Sequence, residues 1–183
     1  NAASKAVRVA AERSIGASSL RWTILRPTMI YGAPGDRNME RLVRHLNRLP
    51  VLPLPAGGRY LQQPVHVADL ANAVSSAAQG SMHRRAYNIA GPRPLWFREV
   101  IQETGRALGT YVLIPRVSLA SVRSAARLAT SVRMSPVSLE QIERVVEDKV
   151  FEIAPAQLEL GYRPREFATG IATEVYELTG LQP

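Results

Sequence analysis

An apolar run that stops at a proline constrains the fold of this chain more than any other feature. The stretch LRPTMIYG, residues 25–32, continues a run whose apolar side chains occupy both alternating faces. Two-sided apolarity is typical of a strand buried in a parallel sheet, and a proline cannot donate to the ladder of such a sheet. We therefore predict a strand over residues 20–26 that ends at Pro27. The residues after the proline form either a simple turn or backbone that the strand delivers to a ligand.

Helical and strand-like segments alternate along the rest of the chain, which predicts the α/β class. The prolines and the helix-rich second half favour the edge of a sheet plus a small helical lobe. With 183 residues and 46% apolar residues, the chain 1–183 is expected to be one domain with a packed core. Helices are predicted over 3–15, around 39–46, and over 95–108, 118–130 and 166–178. Three more are predicted from their ends: one capped by Asp69 and running to Ala78, one starting at the capping box Ser138–Gln141, and one with Pro155 in its first turn and ending at Gly161. The other predicted strands are 60–67, 86–90 and 111–115.

Composition excludes several classes of protein. The chain has no cysteine, which rules out disulfides, thiolate metal sites and a cysteine nucleophile and suits a reducing cytoplasm. No apolar run approaches the ~20 residues of a membrane span. The net charge of +8 is compatible with nucleic-acid binding. Against such binding, the arginines are scattered among acids, and only 6% of residues are aromatic, which is few for stacking on bases. We therefore expect a cytoplasmic protein with no nucleic-acid partner and no membrane span.

Common catalytic and phosphate-binding motifs do not occur in the sequence. The twelve glycines form neither G-x-G-x-x-G nor a P-loop, so the chain as given has no phosphate cradle of its own. The histidines His45, His66 and His83 lie in different predicted elements without ligand spacing, and no metal site is predicted. His66 stands where a strand enters a helix, a place where a ring bonded to nearby backbone is commoner than a catalytic base.

Four motifs, in order, resemble the C-terminal half of extended and atypical short-chain dehydrogenase/reductases, the NAD-dependent epimerase/dehydratase family. They are LRWTILRPTMIYG, QQPVHVADLANAV, AYNIAGPRPLWFREVIQETGRALG and LGYRPREFATGI, which together cover nearly the whole chain. The resemblance is greatest to the atypical branch that includes the Rossmann-type accessory subunit of respiratory complex I. It implies the C-terminal part of a Rossmann-type sheet plus a small helix-rich substrate lobe, with the glycine-rich first half absent.

The resemblance also implies roles for particular residues. The strand that ends at Pro27 would border the nicotinamide end of NAD or NADP, because open α/β sheets bind ligands beyond the carboxyl ends of their strands. Pro27, Thr28 and Met29 would line the nicotinamide side. Tyr31 and the loop to Asn38 would face a small-molecule substrate, as would Arg59 and Gln62.

Departures from the family pattern bear on catalysis. The family's Tyr-x-x-x-Lys pair is not present: counting from Lys5 places Asn1 at the tyrosine, and a register based on Glu12 places Ser4 and Arg8 at the two positions. No catalytic residue is therefore assigned. If Asn1 is a cloning remnant, it stays open whether the natural protein has a tyrosine at that position.

Departures at two substrate positions bear on the ligand. Met29 stands where sugar-nucleotide epimerases have an asparagine, and Gln62 stands where they have a phosphate-binding arginine. Both changes argue against a nucleotide sugar.

Two functional hypotheses follow. The first is the substrate-side fragment of an NAD(P)-dependent epimerase/dehydratase-like oxidoreductase, inactive alone and binding no cofactor by itself. The second is a non-catalytic relative that acts as a cofactor-sensing or assembly subunit. Because one edge of the 20–26 strand would lack its partner in such a fragment, we also expect self-association through residues 20–26.

Overall fold

The computed structural model of the chain describes residues 2–32, 35–36, 38–80, 84–118, 120 and 146–181. The predicted helix 118–130 and the predicted capping box at Ser138 lie outside these residues, apart from the first positions of that helix. Within the described residues the elements are α1 (Ala2–Ala17), β1 (Thr23–Pro27), β2 (Ile30–Tyr31), α2 (Met39–Arg48), β3 (Leu54–Pro55), a 3₁₀ turn (Ala56–Gly58), β4 (Leu61–Gln62), β5 (Val65–His66), α3 (Val67–Gln79), β6 (Arg85–Ile89), β7 (Leu95–Trp96), α4 (Phe97–Ala107), β8 (Arg116–Val117), α5 (Ala154–Leu160) and α6 (Phe167–Thr179).

Parallel pairing dominates the described strands. β1 pairs in parallel with β6 along its whole length, from Thr23 opposite Arg85 to Pro27 opposite Ile89. β2 pairs in parallel with β5, and β3 with β8, while β4 and β7 form an antiparallel pair. Parallel strands need long crossover connections, and here helices supply several of them. The α/β prediction is confirmed.

Two apolar clusters fill the interior. One is formed around β5, β6, α3 and α5 and includes Val65, Tyr87 and Ile89. The other packs α2, α4 and α6 against the residues of β2 and β3, with Val43, Ile101 and others fully buried. The first cluster belongs to the sheet and the second to a helix-rich lobe.

The first strand is shorter and less buried than its sequence indicates. It begins at Thr23, while Leu20 is 68% exposed, and its first three residues are half-buried. The prediction that the first strand is buried on both faces is therefore wrong. Among the described residues β1 has β6 as its one strand partner, so its outer edge is not covered by a further strand.

The predicted strand 60–67 is also wrong as a single element. It divides into β4 and β5 at Pro64, which has no amide hydrogen for a ladder. The following helix begins at Val67, so its cap is His66, whose Nδ1 accepts the amide of Ala68 at 3.2 Å. Asp69 is thus not the cap that we predicted.

Two further boundaries need correction. The predicted strand 111–115 contributes only an isolated bridge between Leu113 and Val51, and the paired residues are Arg116–Val117. The predicted helix 95–108 begins at Phe97, because Leu95–Trp96 pairs with β4.

The C-terminal helices agree with the sequence. Pro155 lies in the first turn of α5, and Gly161 ends that helix with a φ of 64°, a left-handed conformation that glycine adopts without strain. α6 covers nearly the predicted residues. Its Gly170 packs against the Tyr31 ring, and a methyl group there would overlap the tyrosine hydroxyl.

Gly170→Ala is expected to lower the free energy of unfolding by about 1–3 kcal/mol, because overpacking outweighs the helix propensity of alanine. Urea unfolding of the two proteins measures the change. Thr169→Ala, at the exposed neighbouring position of α6, is the matched control and should change stability by less than about 0.5 kcal/mol. A Gly170→Ala protein as stable as the parent would contradict the close packing.

Candidate functional site

The segment after β1 is fastened to the segment that joins β4 and β5. The hydroxyl of Thr28 donates to the carbonyl of Gln63 at 2.5 Å, and the amide of Val65 donates to the carbonyl of Met29 at 2.9 Å. The amide of Thr28 donates to the carbonyl of Ile89 at 3.1 Å. These bonds hold the backbone just past the carboxyl end of β1 in a fixed position.

A cleft of about 390 Å³ opens beside this segment, beyond the carboxyl end of β1. It brings together Met29, Asn38 and Gln62, three of the residues that the sequence marked as cofactor or substrate contacts. Its volume lies at the lower end of the range for small-molecule sites. The sequence did not indicate the six other lining residues, which are Met39, Arg41, Leu42, Tyr60, Phe97 and Lys149.

The other marked residues lie outside the cleft lining. Pro27 and Thr28 lie at and just after the end of β1, and Arg59 is exposed on the loop before β4. Tyr31 is 1% exposed and belongs to the core, where its ring meets His66 edge-on at 5.2 Å between ring centroids. Contact of these residues with a cofactor or substrate stays a prediction, and the burial of Tyr31 does not favour it.

An aromatic pair forms part of the cleft wall. Tyr60 and Phe97 stack with ring centroids 5.3 Å apart and planes 22° apart. Tyr60 is 1% exposed, and its hydroxyl has no hydrogen-bond partner in the part of the chain that the structure describes. Burial raises the pKa of Tyr60, so the hydroxyl stays protonated and can donate. A buried hydroxyl without a partner costs about 1–3 kcal/mol, which a bound acceptor would recover.

Residues 147–149 run beside β4 and bring a cation to the cleft. The amide of Lys149 donates to the carbonyl of Leu61 at 2.9 Å, and the amide of Leu61 donates to the Asp148 carboxylate at 2.7 Å. The Gln62 side chain donates to the carbonyl of Glu147 at 3.4 Å. Since this segment lies more than 80 residues from β4 in sequence, no local pattern could have indicated its position.

His66 and Asp69 are structural in this fold. The ring of His66 caps α3, and its burial, followed by the charge of Arg165, lowers its pKa. The carboxylate of Asp69 is 5% exposed and accepts from the side chain of Arg165 at 2.9 to 3.1 Å and from its backbone amide at 3.0 Å. This ion pair joins α3 to the segment before α6. In the described part of the chain, no three histidine, aspartate or glutamate side chains are placed to hold a metal ion.

The end of α1 is connected to the end of β1 by charge. Arg26 donates from Nε to both carboxylate oxygens of Glu12, at 3.0 and 3.1 Å. The same hydrogen bonding lowers the pKa of Glu12. Glu12 is the residue whose register placed Arg8 at the family's lysine position, and here it serves to fix α1 on the sheet.

Glu174 on α6 is a buried acid with an abnormal pKa. It is 3% exposed, and neither carboxylate oxygen makes a hydrogen bond of ordinary geometry with a described residue. Burial first, and then the negative charge of Asp36, raise the pKa of Glu174 to about 7, although the nearby amide of Gly32 favours the charged form. The folded protein therefore holds a proton on Glu174 that the unfolded chain releases near pH 4.5.

This proton makes stability depend on pH. The folded pKa of Glu174 is raised, so the contribution of this residue to stability is most favourable below about pH 4.5. That contribution is lost as pH rises to about 7, by on the order of 2–3 kcal/mol. His66 acts in the opposite sense at low pH, because its depressed pKa disfavours the fold when the ring protonates. The difference between the parent and Glu174→Gln isolates the carboxylate.

Urea unfolding at pH 4 to 8 measures this dependence. Glu174→Gln should gain stability relative to the parent as pH rises from about 5 to 7. Glu152→Gln, at an exposed position that is not among the charges raising the pKa of Glu174, should not. A constant difference between Glu174→Gln and the parent across this range would show that Glu174 is not protonated in the folded state.

Comparison with known proteins gives relatives of similar sequence but no family match. No protein-family model matches this chain. It is 29% identical over 153 residues to the uncharacterized protein y4nG of Sinorhizobium fredii, and 27% identical over 153 residues to the uncharacterized protein YbjS of Escherichia coli. These regions cover 84% and 79% of this chain but only 38% and 45% of those proteins. The chain thus spans less than half the length of the curated relatives it matches.

Solved structures of similar fold include sugar-nucleotide epimerases and a dehydratase, two of them solved with NAD. The UDP-glucose 4-epimerase of Thermotoga maritima, solved with UDP-glucose, has a TM-score of 0.67 at 16% identity, covering 93% of this chain and 50% of that one. MoeE5, solved with UDP-glucose and NAD, has a TM-score of 0.67 at 22% identity, covering 94% and 54%. RMD from Pseudomonas aeruginosa, solved with NADPH, has a TM-score of 0.62 at 12% identity, covering 89% and 49%.

These similarities establish the fold. The chain has the α/β architecture of the C-terminal part of a Rossmann-type epimerase or dehydratase, as the sequence predicted. It covers about half of each of these solved chains. Resemblance to the branch with the complex I subunit stays a prediction.

Proposed function

We propose that residues 1–183 are the substrate-side portion of a longer NAD(P)-dependent oxidoreductase of the epimerase/dehydratase type, inactive without the remainder. The cleft beyond the carboxyl end of β1 supports the proposal most directly, because open α/β sheets bind their ligands at that edge. The solved proteins of similar fold carry UDP-sugars, NAD or NADPH, according to their descriptions. The absence of cysteine suits a cytoplasmic location.

In this proposal, the residues after β1 position a nicotinamide. Both hydrogen-bonding donors of Thr28 are engaged inside the chain, so contact with the ring falls to Pro27 and to the side chain of Met29, which lines the cleft. The cofactor supplies the hydride chemistry, and this chain supplies the surface that orients the ring against a substrate. The phosphate-binding turn and the acid or arginine that selects NAD or NADP would lie in the remainder of the protein.

A second candidate is a non-catalytic member of the same fold that senses a cofactor or assists assembly. The observation that favours it is the missing Tyr-x-x-x-Lys pair, since neither Lys5 nor Arg8 has a tyrosine four residues before it. A tyrosine in place of Asn1 in the natural gene product would complete the motif with Lys5 and would favour the enzyme. In both cases the cofactor surface is the same, and only proton transfer to the substrate differs.

Residues 1–183 alone are expected to show no measurable affinity for NAD or NADP in calorimetry, whereas the full-length gene product should bind one of them. The reason is the lack of a glycine-rich turn in this chain to hold the pyrophosphate. Hydride transfer by the full-length protein then separates the two candidates. Tight binding of NAD to residues 1–183 would overturn the fragment proposal, and failure of the full-length protein to bind either cofactor would overturn the function.

We further propose that the isolated chain self-associates through β1. Its outer edge, over residues 24–26, pairs with no other described strand, and an uncovered edge recruits another chain. Sedimentation velocity over a hundredfold concentration range should show dimers or larger species. Ile24→Lys should reduce them by placing a charge on the edge strand. Leu158→Lys, at an 86% exposed leucine on α5, is the matched control and should not. A monomer at every concentration would contradict the proposal.

A further inference from the structure

The described residues that line the cleft combine apolar and cationic side chains. Met29, Met39, Leu42 and Phe97 give it apolar surface, and Arg41 and Lys149 give it positive charge. Among the lining residues that the structure describes, none is aspartate or glutamate. Such a lining favours a ligand that has an apolar body and a negative charge.

Two acids that neighbour these cations in sequence make hydrogen bonds to other groups. Glu40, next to Arg41 in sequence, accepts from Nε of Arg44 at 2.8 Å and from the amide of Gly35 at 3.0 Å. Asp148, next to Lys149, accepts from the amide of Leu61 at 2.7 Å. Among the described residues, neither Arg41 nor Lys149 forms an ion pair within 4 Å. Within the described part of the chain, both cations can thus form an ion pair with a ligand.

The buried hydroxyl of Tyr60 independently indicates a ligand with an acceptor. Tyr60 is one of the described lining residues of the cleft, and its side chain is only 1% exposed. Its buried hydroxyl has no hydrogen-bond partner among the described residues. Folding leaves such a donor unpaired only at a cost, and a carboxylate oxygen would satisfy it well. The stacked ring of Phe97 adds a flat apolar surface beside it.

The lining does not suit a nucleotide sugar. A sugar presents many hydroxyl groups, but where the resemblance places a polar sugar contact and a phosphate-binding arginine, the chain has the thioether of Met29 and the amide of Gln62. The amide of Gln62 already donates to the carbonyl of Glu147. A volume of about 390 Å³ also favours a compact ligand.

We propose that this cleft binds a compact carboxylate with an apolar, preferably aromatic, body, with Arg41 and Lys149 attracting the carboxylate and Tyr60 donating a hydrogen bond to it. The inference rests on the proposed function, in that the same cleft is the substrate side of the protein. It names the chemistry of the substrate, which the fold similarity leaves open.

The test uses three defined probes in calorimetry with residues 1–183: 4-phenylbutyrate, its neutral analogue 4-phenylbutyramide, and UDP-glucose. The carboxylate should bind at least about tenfold more tightly than the amide, which corresponds to about 1.4 kcal/mol. UDP-glucose should neither bind nor compete with it. Equal binding of the carboxylate and the amide, tighter binding of UDP-glucose, or binding of no probe overturns the inference.

Variants assign the binding to this cleft. Arg41→Gln and Lys149→Gln should each weaken 4-phenylbutyrate by about three- to tenfold and leave 4-phenylbutyramide unchanged. Arg48→Gln, on the same helix but outside the cleft lining, is the matched control and should bind as the parent does. If Arg48→Gln weakens the binding of 4-phenylbutyrate as much as Arg41→Gln does, the effect comes from the overall charge of the protein, and the assignment to this cleft fails.

Tyr60→Phe separates a binding role from a structural one. Removing a hydroxyl that has no protein partner should raise the Tm or leave it unchanged, while weakening 4-phenylbutyrate by about threefold or more. A lower Tm with unchanged binding would show that the hydroxyl is structural. Failure of these anion experiments leaves the proposed function intact if the full-length protein binds NAD or NADP, so the two failures are distinguishable.

Discussion

The buried side chain of Gln63 connects more of this structure than any other described group. It is 3% exposed, its Nε2 donates to the carbonyl of Gly91 at 2.8 Å, and its Oε1 accepts the amide of Phe151 at 2.8 Å. Its backbone carbonyl accepts the hydroxyl of Thr28. One residue thus joins the end of β1, the end of β6 and the chain that enters α5. Because each of these hydrogen bonds is buried or part-buried, losing one would leave unpaired polar groups, which makes the arrangement rigid.

That rigidity determines where the cleft lies. With the end of β1 fixed on the segment between β4 and β5, Met29 and Gln62 come to the same opening, although they are far apart in sequence. Gly91 passes so close to the carbonyl of Pro64 that no side chain fits between them. The Asp69–Arg165 ion pair then attaches the start of α6 to α3, on the far side of the same segment. The helical lobe and the sheet therefore share a boundary, and the cleft opens beside it.

Local signals in the sequence predicted the elements that depend on neighbours in the chain. Pro155 and Gly161 define α5 because a proline in the first turn and a left-handed glycine act within one element. The strand predicted over 60–67 failed because Pro64 interrupts it and its two halves then pair with partners far along the chain, β7 for one half and β2 for the other. Resemblance supplied Met29, Asn38 and Gln62 for the cleft. It could not supply Tyr60 or Lys149, since a stacked ring and a distant strand neighbour are tertiary facts.

Geometry and ligand chemistry are set by different residues in this protein. Gln63, Thr28 and Gly91 hold the backbone beside the cleft through hydrogen bonds within the chain. The side chains that face the opening follow another pattern, with a thioether and a neutral amide at two positions and cations on α2 and beside β4 instead. A fold can host many chemistries because the bonds that hold the backbone are separate from the groups that meet a ligand. Under the proposed function, the lining of this cleft is therefore a better guide to the ligand than the overall similarity of fold.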